Sequence, residues 1–145
     1  EYELDDTFIC STGLGGSTPT GIYTTSTEPL NRWQYFQKFK CWAQYSFRIT
    51  GDIWFHSVLY DAPDTSTLRY GSVYALGQKA SHGCVRLRVE DAKWIYDNCP
   101  LGTTVSIYNA SSLPVPKPSA PWLDISSPNR GWDPTDPDPA NPWNK

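Results

Sequence analysis

The distribution of proline divides this chain into two parts that differ in what they can fold into. Nine of its 13 prolines lie between residues 113 and 145. Proline has no backbone N–H and a fixed φ, so this stretch cannot extend a helix or occupy a central strand. Regular secondary structure must therefore come from what precedes it. We place a domain at residues 1–110 and a Pro/Trp-rich C-terminal tail at residues 111–145.

Two interpretations of the tail are open. The first is a solvated, polyproline-like extension or spacer, which the composition favours. The second relies on Trp122, Trp132 and Trp143, whose large apolar rings are costly to leave exposed, to dock the tail onto the domain or onto another surface. The expectation from composition is the solvated extension.

Length and charge limit the classes of partner. The chain has 145 residues, of which 39% are apolar and 14% aromatic, enough for one domain with a core. A net charge of -3 gives no broad basic surface, so we expect no nucleic-acid partner. No apolar run approaches the ~18 residues that a membrane span needs. No signal peptide is visible, so we expect a mature form or an excised segment.

The first 110 residues predict a mostly β fold. Short runs rich in β-branched and aromatic residues alternate with Gly, Pro, Thr and Asn, which is typical of strands joined by turns. One helix is predicted at residues 89–98, because its apolar residues recur at helical spacing and Pro100 and Gly102 follow it. The predicted strands are residues 8–11, 21–25, 43–49, 52–59 and 103–108.

The hexapeptide SHGCVR at residues 81–86 carries the strongest chemical signal, because it places a thiol close to an imidazole. A cysteine attacks as its thiolate, and its ordinary pKa of ~8.5 must be lowered for efficient attack at neutral pH. The chain has two histidines, His56 and His82, so a thiol–imidazole pair must use one of them. Gly83 has no Cβ, so backbone N–H groups there can approach a developing oxyanion. A plain turn glycine is the alternative.

Zinc is the rival use of these residues. His56, His82 and Cys84 would supply three ligands, the number that a catalytic zinc site uses. However, the sequence has no Cys-x-x-Cys or His-x-x-x-His spacing, and the other three cysteines are scattered. We therefore expect neither a metal nor a cofactor.

Two segments resemble one protein family. The hexapeptide 81–86 with His56 upstream resembles the signature of the L,D-transpeptidases of the YkuD type, bacterial enzymes that cross-link the cell wall. Residues 11–13 (STG) followed by 18–21 (TPTG) resemble the strand-turn-strand start of that domain. The resemblance spans residues 7–108 and implies an antiparallel β-sandwich with one helix after the catalytic loop. Residues 1–6 are too short and too polar to form the first strand that the family usually has, so that strand is expected to be missing.

The resemblance also implies roles for individual residues. Cys84 would be the nucleophile, His56 the general base, and Ser57 would help to orient that base. The backbone N–H groups of Gly83 and Cys84 would form the oxyanion hole. An ion pair between the thiol and His56 is plausible only if the two groups touch.

Further residues would support the site or bind substrate. His82 is assigned to structure or substrate positioning, although its place in the sequence leaves a base role open. Arg86 would either bind a substrate carboxylate or hold the loop. Residues 61–80 lengthen the spacing between His56 and the nucleophile beyond that usual for the family, which fits either an inserted lid or an irregular surface loop. Three other supporting residues are expected, namely Ser81, Tyr70 and Tyr74.

The cysteines allow one further expectation. With Cys84 reserved as the nucleophile, three remain, and an odd number cannot all pair within one chain. We expect one disulfide and one buried thiol. The sandwich implied by the resemblance brings the catalytic strand near the end of the helix, so the expected disulfide joins Cys41 to Cys99.

The implied function is peptidoglycan L,D-transpeptidation, in which a tetrapeptide stem is the acyl donor, an amine of a second stem is the acceptor, and 3-3 cross-links form through a thioester. Carbapenems are the expected inhibitors. The expected location is extracytoplasmic, at the cell wall or cell surface. Two alternatives stay open: an L,D-carboxypeptidase that uses the same site, and a non-catalytic wall-binding module anchored by the tail.

Overall fold

The computed structural model describes residues 3–25, 30–112, 115, 117–119 and 123–144. Within these residues the chain forms nine strands and two α-helices. The strands are β1 (Cys10–Gly13), β2 (Gly21–Thr24), β3 (Asn31–Phe36), β4 (Cys41–Thr50), β5 (Ile53–Ser57), β6 (Leu59–Tyr60), β7 (Lys79–Ser81), β8 (Val85–Leu87) and β9 (Thr104–Ile107). The helices are α1 (Gly71–Tyr74), a single turn, and α2 (Val89–Asn98).

The strands form two sheets, and the larger one is mixed. Its order is β3-β4-β5-β8-β1-β7, with β6 also paired to β4, while β2 and β9 form a separate antiparallel pair. The pairs β5–β8 and β1–β7 are parallel. The prediction of a mostly β fold with a helix after the catalytic loop is confirmed, but the expected antiparallel arrangement holds only in part. Residues 58–84 form the crossover connection that a parallel β5–β8 pair requires.

The predicted elements match the structure where a strand or helix is long. Helix α2 begins and ends as predicted, and β4 covers the predicted strand at 43–49 with its buried side chains Ala43, Phe47 and Ile49. Strand β6 overlaps the predicted strand 52–59 only at Leu59, and three strands were not predicted at all, namely β3, β7 and β8. Two of them have three residues each, and β3 mixes polar and aromatic side chains on both faces, so none carries a clear alternating pattern.

The tail is packed onto the domain, so the solvated extension predicted for it is wrong over residues 123–144. Leu123 belongs to the hydrophobic core, and Asp133, Asp136 and Asn141 are all buried. The Asn141 Nδ2 group donates to the carbonyl oxygens of both aspartates, at 3.0 and 2.9 Å. Proline removes backbone donors but leaves side chains able to make such contacts, which is why composition alone misled the prediction.

The tail tryptophans fit the docked interpretation in part. Trp143 packs against the core, and its indole N–H donates to the carbonyl oxygen of Asn129 at 2.8 Å. Trp132 is half-buried, and Trp122 lies outside the described residues.

The tail also completes helix α2. The residue before the helix, Arg88, provides no side-chain cap. Instead the Val89 N–H donates to Asp133 Oδ2 at 3.1 Å, and the Glu90 N–H donates to Thr135 Oγ1 at 3.2 Å. The first N–H groups of a helix have no partner within the helix, so these tail side chains satisfy them from a distant part of the sequence.

Residues 61–80 belong to the body of the domain, so neither alternative left open for them, an inserted lid or an irregular surface loop, describes the whole segment. Leu68, Val73 and Leu76 are buried in the core, and Leu68 forms an isolated bridge with Tyr60. A segment anchored by three core side chains cannot open and close as a lid. Neither helix in the described residues has the length and apolar character needed to cross a membrane.

The expected disulfide is absent from the structure, in which all four cysteines carry free thiols. Cys41 is buried at the start of β4 beside the groove described below, whereas Cys99 packs against the core at the end of α2. The pairing of Cys41 with Cys99 is therefore wrong, because the two residues border different parts of the fold.

Candidate active site

A groove of about 480 Å³ runs past the hexapeptide and contains the predicted catalytic pair. One wall is the hairpin formed by β3 and β4, and the other consists of β5 and the loop between β7 and β8. The groove is lined by Gln34, Tyr35, Phe36, Gln37, Lys38, Phe39, Cys41, Asp52, Ile53, Trp54, His56, Leu59, Ser81, His82, Cys84 and Arg86.

Cys84 lies half-buried in the loop immediately before β8. Its Sγ donates a hydrogen bond to the carbonyl oxygen of Asp52 at 3.4 Å. Burial raises the pKa of the Cys84 thiol above its ordinary value, and a backbone hydrogen bond from Trp54 and the charge of Arg86 offset only part of that rise. The thiol is therefore protonated at neutral pH in the free protein.

His56 lies buried on β5, with the Phe36 ring 4.8 Å away between ring centroids. Its Nδ1 is 2.6 Å from the carbonyl oxygen of Ser57. A carbonyl oxygen only accepts hydrogen bonds, so Nδ1 carries the proton and Nε2 keeps a lone pair. Burial lowers the pKa of His56 to about 4; the bond to Ser57 raises it, and Arg86 adds to the lowering. The ring is therefore neutral, in the tautomer that a general base requires.

The thiol and imidazole are thus two neutral groups in one groove. In the described residues, Cys84 and His56 make no hydrogen bond to each other, and burial shifts their pKa values away from the charged forms. The ion pair that the sequence left open does not form in the free protein. Any attack by this thiol would therefore need the proton to move during the attack, and hydrogen bonds at such sites often tighten only when substrate binds.

Ser57 orients the His56 imidazole through its backbone rather than its side chain. Its hydroxyl accepts a hydrogen bond from the Gln44 N–H and donates one to the carbonyl oxygen of Val58, both at 2.8 Å. The predicted role of Ser57 is thus carried by its carbonyl oxygen, while the hydroxyl joins β4 to β5.

Gln44 and Asp136 are two supporting residues that the sequence did not reveal. The fully buried Gln44 side chain donates to Asp136 Oδ2 at 2.9 Å and to the Tyr60 hydroxyl at 2.7 Å. Hydrogen bonds of Gln44 therefore link the tail to the hydroxyl of Ser57, the residue whose carbonyl oxygen holds His56. No local sequence signal could have found this link, because it exists only after the tail docks.

The loop geometry explains why residue 83 is a glycine. Gly83 has a φ of +137°, a region that other residues rarely adopt. A Cβ at this position would lie 2.6 Å from Ile53 Cδ1 and 3.1 Å from the carbonyl oxygen of Ser17. Both conformation and space therefore require glycine.

One of the two predicted oxyanion donors is already occupied. The Gly83 N–H donates to Ser81 Oγ at 3.1 Å, and that hydroxyl donates to the carbonyl oxygen of Cys84 at 2.6 Å. Ser81 therefore shapes the loop from within. The assignment of Gly83 to the oxyanion hole is corrected for this state of the loop, and the Cys84 N–H is the remaining candidate.

His82 and Arg86 line the groove in different ways. His82 is exposed, and its ring stacks on Phe39 of the hairpin with centroids 4.3 Å apart, so it connects the two walls. Arg86 pairs in register with His56 and is half-buried. Its Nε atom is buried and has no hydrogen-bond partner in the described residues, and its charge acts on both Cys41 and Cys84.

Tyr70 and Tyr74 do not line the groove, contrary to their predicted supporting role. The Tyr74 hydroxyl donates to the carbonyl oxygen of Leu123, and the guanidinium of Arg130 lies over the Tyr70 ring. Both tyrosines therefore hold the tail. Among the residues that the structure describes, no group of three His, Cys, Asp or Glu side chains is arranged to hold a metal ion.

Comparisons with known proteins identify the family of this chain. Residues 3–107 match the family model of the L,D-transpeptidase catalytic domain, YkuD. The chain is 37% identical over 109 residues to a putative L,D-transpeptidase, YciB, of Bacillus subtilis, a match that covers 70% of this chain and 54% of that protein. The chain thus spans about half the length of this curated relative.

Solved structures give the same result at the level of the fold. An L,D-transpeptidase from Mycobacterium tuberculosis H37Rv is 28% identical with a TM-score of 0.56, covering 75% of this chain and 46% of that one. L,D-transpeptidase 3 from Mycobacterium tuberculosis, in complex with a faropenem-derived adduct, is 25% identical with a TM-score of 0.54, covering 75% and 47% respectively. The tail lies beyond the residues that match the family model.

Proposed function

The chain belongs to the L,D-transpeptidase catalytic-domain family, and we propose that it cross-links peptidoglycan stem peptides through a thioester on Cys84. The observation that carries this proposal is the tautomer of His56, whose unprotonated Nε2 belongs to a ring lining the same groove as the thiol. A wall-binding module would need neither an oriented imidazole nor a thiol beside its ligand.

In the first half of the proposed reaction, the donor is a tetrapeptide stem. His56 Nε2 takes the proton from Cys84 Sγ as the sulfur attacks the carbonyl carbon of the L,D-amide before the terminal D-Ala. The carbonyl oxygen becomes an oxyanion, which the Cys84 N–H stabilises. The C–N bond then breaks, and the departing D-Ala amine takes the proton held by His56.

In the second half, an amine of another stem attacks the thioester carbonyl and gives its proton to His56. The C–S bond breaks, and the proton returns to Cys84 Sγ. The product is a 3-3 cross-link. If water attacks in place of the amine, the same residues act as an L,D-carboxypeptidase. Two steps with lower barriers replace one difficult amide exchange.

A neutral thiol and a neutral imidazole suit an acyl-transfer site that is open to water before substrate binds. A protonated thiol is a poor target for oxidation and for solvent electrophiles, because these react with the thiolate. Substrate that fills the groove excludes water from both groups and brings the reacting carbonyl to the sulfur. We also propose an extracytoplasmic location at the cell wall or cell surface, since the substrate lies there, and inhibition by carbapenems, whose strained ring imitates the acyl donor.

Mass spectrometry of the full chain mixed with a disaccharide-tetrapeptide tests the function. The expected product is a cross-linked dimer that has lost one D-Ala, with the Cys84→Ala protein leaving the substrate unchanged. Tripeptide without dimer would replace the proposal with carboxypeptidase activity. Unchanged substrate with the unmodified protein would favour the binding module, and activity lost in EDTA and restored by zinc would favour the metal alternative.

A further inference from the structure

Thr18, in the TPTG segment that the catalytic chemistry does not use, contacts the nucleophile loop directly. Its Oγ1 accepts a hydrogen bond from the Gly13 N–H and donates one to the carbonyl oxygen of Gly83, both at 2.7 Å. We propose that Thr18 is a positioning residue for the oxyanion donor: its hydroxyl fixes and polarises the peptide whose N–H belongs to Cys84. This inference rests on the proposed acyl-transfer function.

The geometry of the peptide bond connects Thr18 to that donor. The carbonyl of Gly83 and the N–H of Cys84 belong to the same peptide unit, and the described residues contain no cis peptide bond. In a planar trans peptide the C=O and N–H groups point in opposite directions. A hydroxyl that holds the carbonyl therefore sets the direction of the N–H. Hydrogen bonds in series also polarise one another, which strengthens the N–H as a donor.

The loop needs such a constraint from outside. Glycine has the widest backbone freedom of any residue type, and Gly83 adopts a φ of +137°. It has no side chain that could restrict this angle. Its own N–H is bonded within the loop, to Ser81 Oγ, which moves with it. Thr18 instead attaches the Gly83 carbonyl to the β1 end of the sheet through Gly13.

The two backbone segments are in contact at this point, so the hydroxyl bridge has little room to shift. A Cβ on Gly13 would lie 3.0 Å from Gly83 Cα and 2.8 Å from the Thr18 backbone nitrogen. Thr18 itself is half-buried, which limits replacement of its hydrogen bonds by water. Its hydroxyl thus fixes the position of the STG and TPTG segments relative to the loop that carries Cys84.

The test compares two reactions of the same thiol. Acylation of Cys84 by a carbapenem passes through an oxyanion, as the sulfur adds to the carbonyl and the ring C–N bond then breaks with protonation of the nitrogen. Alkylation by iodoacetamide forms an S–C bond and expels iodide at a tetrahedral carbon, so no oxyanion develops. Both rates are measured at Cys84 by peptide mass spectrometry on the full chain.

Thr18→Val keeps the shape of the side chain and removes the hydroxyl. We expect acylation to slow by about tenfold, less than the ~10²–10³-fold loss that removal of a whole oxyanion donor causes, with alkylation of Cys84 changed by less than about twofold. The effect should fall on the rate constant at saturating carbapenem rather than on the half-saturating concentration. Thr18→Ser should restore most of the acylation rate.

Two further variants keep the result interpretable. Thr18→Ala removes the same hydroxyl without placing a second methyl group against the backbone, so it must slow acylation if the valine variant does not fold. Thr20→Val, an exposed position in the same segment, is the matched control and should react like the unmodified protein. Circular dichroism checks that each variant is folded.

Equal slowing of acylation and alkylation would overturn the inference, because it would show a general disturbance of the thiol. Unchanged acylation in folded Thr18→Val or Thr18→Ala would overturn it as well. Neither result affects the proposed function, which fails instead if the unmodified protein forms no carbapenem adduct at Cys84.

Discussion

The proposed nucleophile and the proposed base of this site are held by two regions of different character. The loop with Cys84 borders the groove, and hydroxyl groups of Thr18 and Ser81 set its backbone. Strand β5 with His56 lies in the interior, where a buried network that includes Gln44 and tail residue Asp136 supports it. The loop can be disturbed locally, whereas the base depends on long-range packing that extends beyond the family-matched residues 3–107.

The largest expected effect concerns the nucleophile itself. Cys84→Ala should form no adduct with a carbapenem, because Cys84 supplies the thiol that we propose to attack. Cys41→Ala is the matched control, since Cys41 lines the same groove and also has a pKa raised by burial. Intact-protein mass spectrometry is the measurement. An adduct on the Cys84→Ala protein would show that another cysteine is acylated. The loop would then not be the region that holds the nucleophile.

Loss of the base should be nearly as severe but partly reversible. His56→Ala should slow acylation at neutral pH by on the order of 10² or more. Raising the pH should recover part of the rate, because solvent then generates the thiolate, and the raised pKa of Cys84 places this recovery above the ordinary thiol value of ~8.5. The measurement is the acylation rate against pH.

His82→Ala is the control for that profile. This residue stacks on Phe39 at the groove wall, so its removal should weaken turnover without recovery at high pH. Recovery in the His82 variant and none in the His56 variant would reverse the assignment of the base.

The tail should contribute to both stability and activity through Asp136. Asp136→Ala leaves the buried Gln44 amide without one of its acceptors, so we expect the free energy of unfolding to fall by about 2 kcal/mol. Acylation should fall as well, since the support of β5 is loosened. Urea denaturation and carbapenem kinetics are the measurements.

Asp138→Ala is the matched tail variant, because the Asp138 carboxylate accepts from Thr65 and from the Ala140 N–H rather than from Gln44. It should retain the acylation rate. If Asp136→Ala lowers neither stability nor acylation, the base strand does not depend on the tail, and the contrast between the two regions fails.

Features set by local sequence could be predicted. The bounds of helix α2 were predicted from the spacing of its apolar residues and from the proline that follows it. Both signals act within a few residues. The groove-lining positions of Cys84, His56 and Ser81 likewise followed from one short motif and one upstream residue.

Features set by distant contacts could not be predicted. The burial of Leu123 depends on core residues from distant parts of the chain, and nothing in a proline-rich sequence indicates it. The hydrogen bond from the Gly83 N–H to the Ser81 hydroxyl depends on loop geometry that the motif does not encode. The hairpin wall of the groove was missed because β3 has no alternating pattern of buried and exposed residues.

The smallest expected effect is a pH dependence of the free energy of unfolding that arises from the buried His56 imidazole. Burial holds the pKa of His56 in the folded protein at about 4, below its ordinary value near 6.5. The unfolded chain therefore binds a proton more readily, so this contribution to stability is complete above pH ~6.5 and is lost as the pH falls toward 4. From pH 7 to pH 5.5 the loss should be about 1 kcal/mol.

The measurement is urea denaturation of the unmodified protein and of His56→Gln at both pH values. The difference between the two proteins isolates the histidine, because Asp133, whose pKa is raised by burial, titrates in both and acts in the opposite direction. A loop variant such as Thr18→Val should keep the full pH dependence. If His56→Gln keeps it too, the imidazole is not the buried neutral group described here, and the base strand loses the property that distinguishes it from the loop.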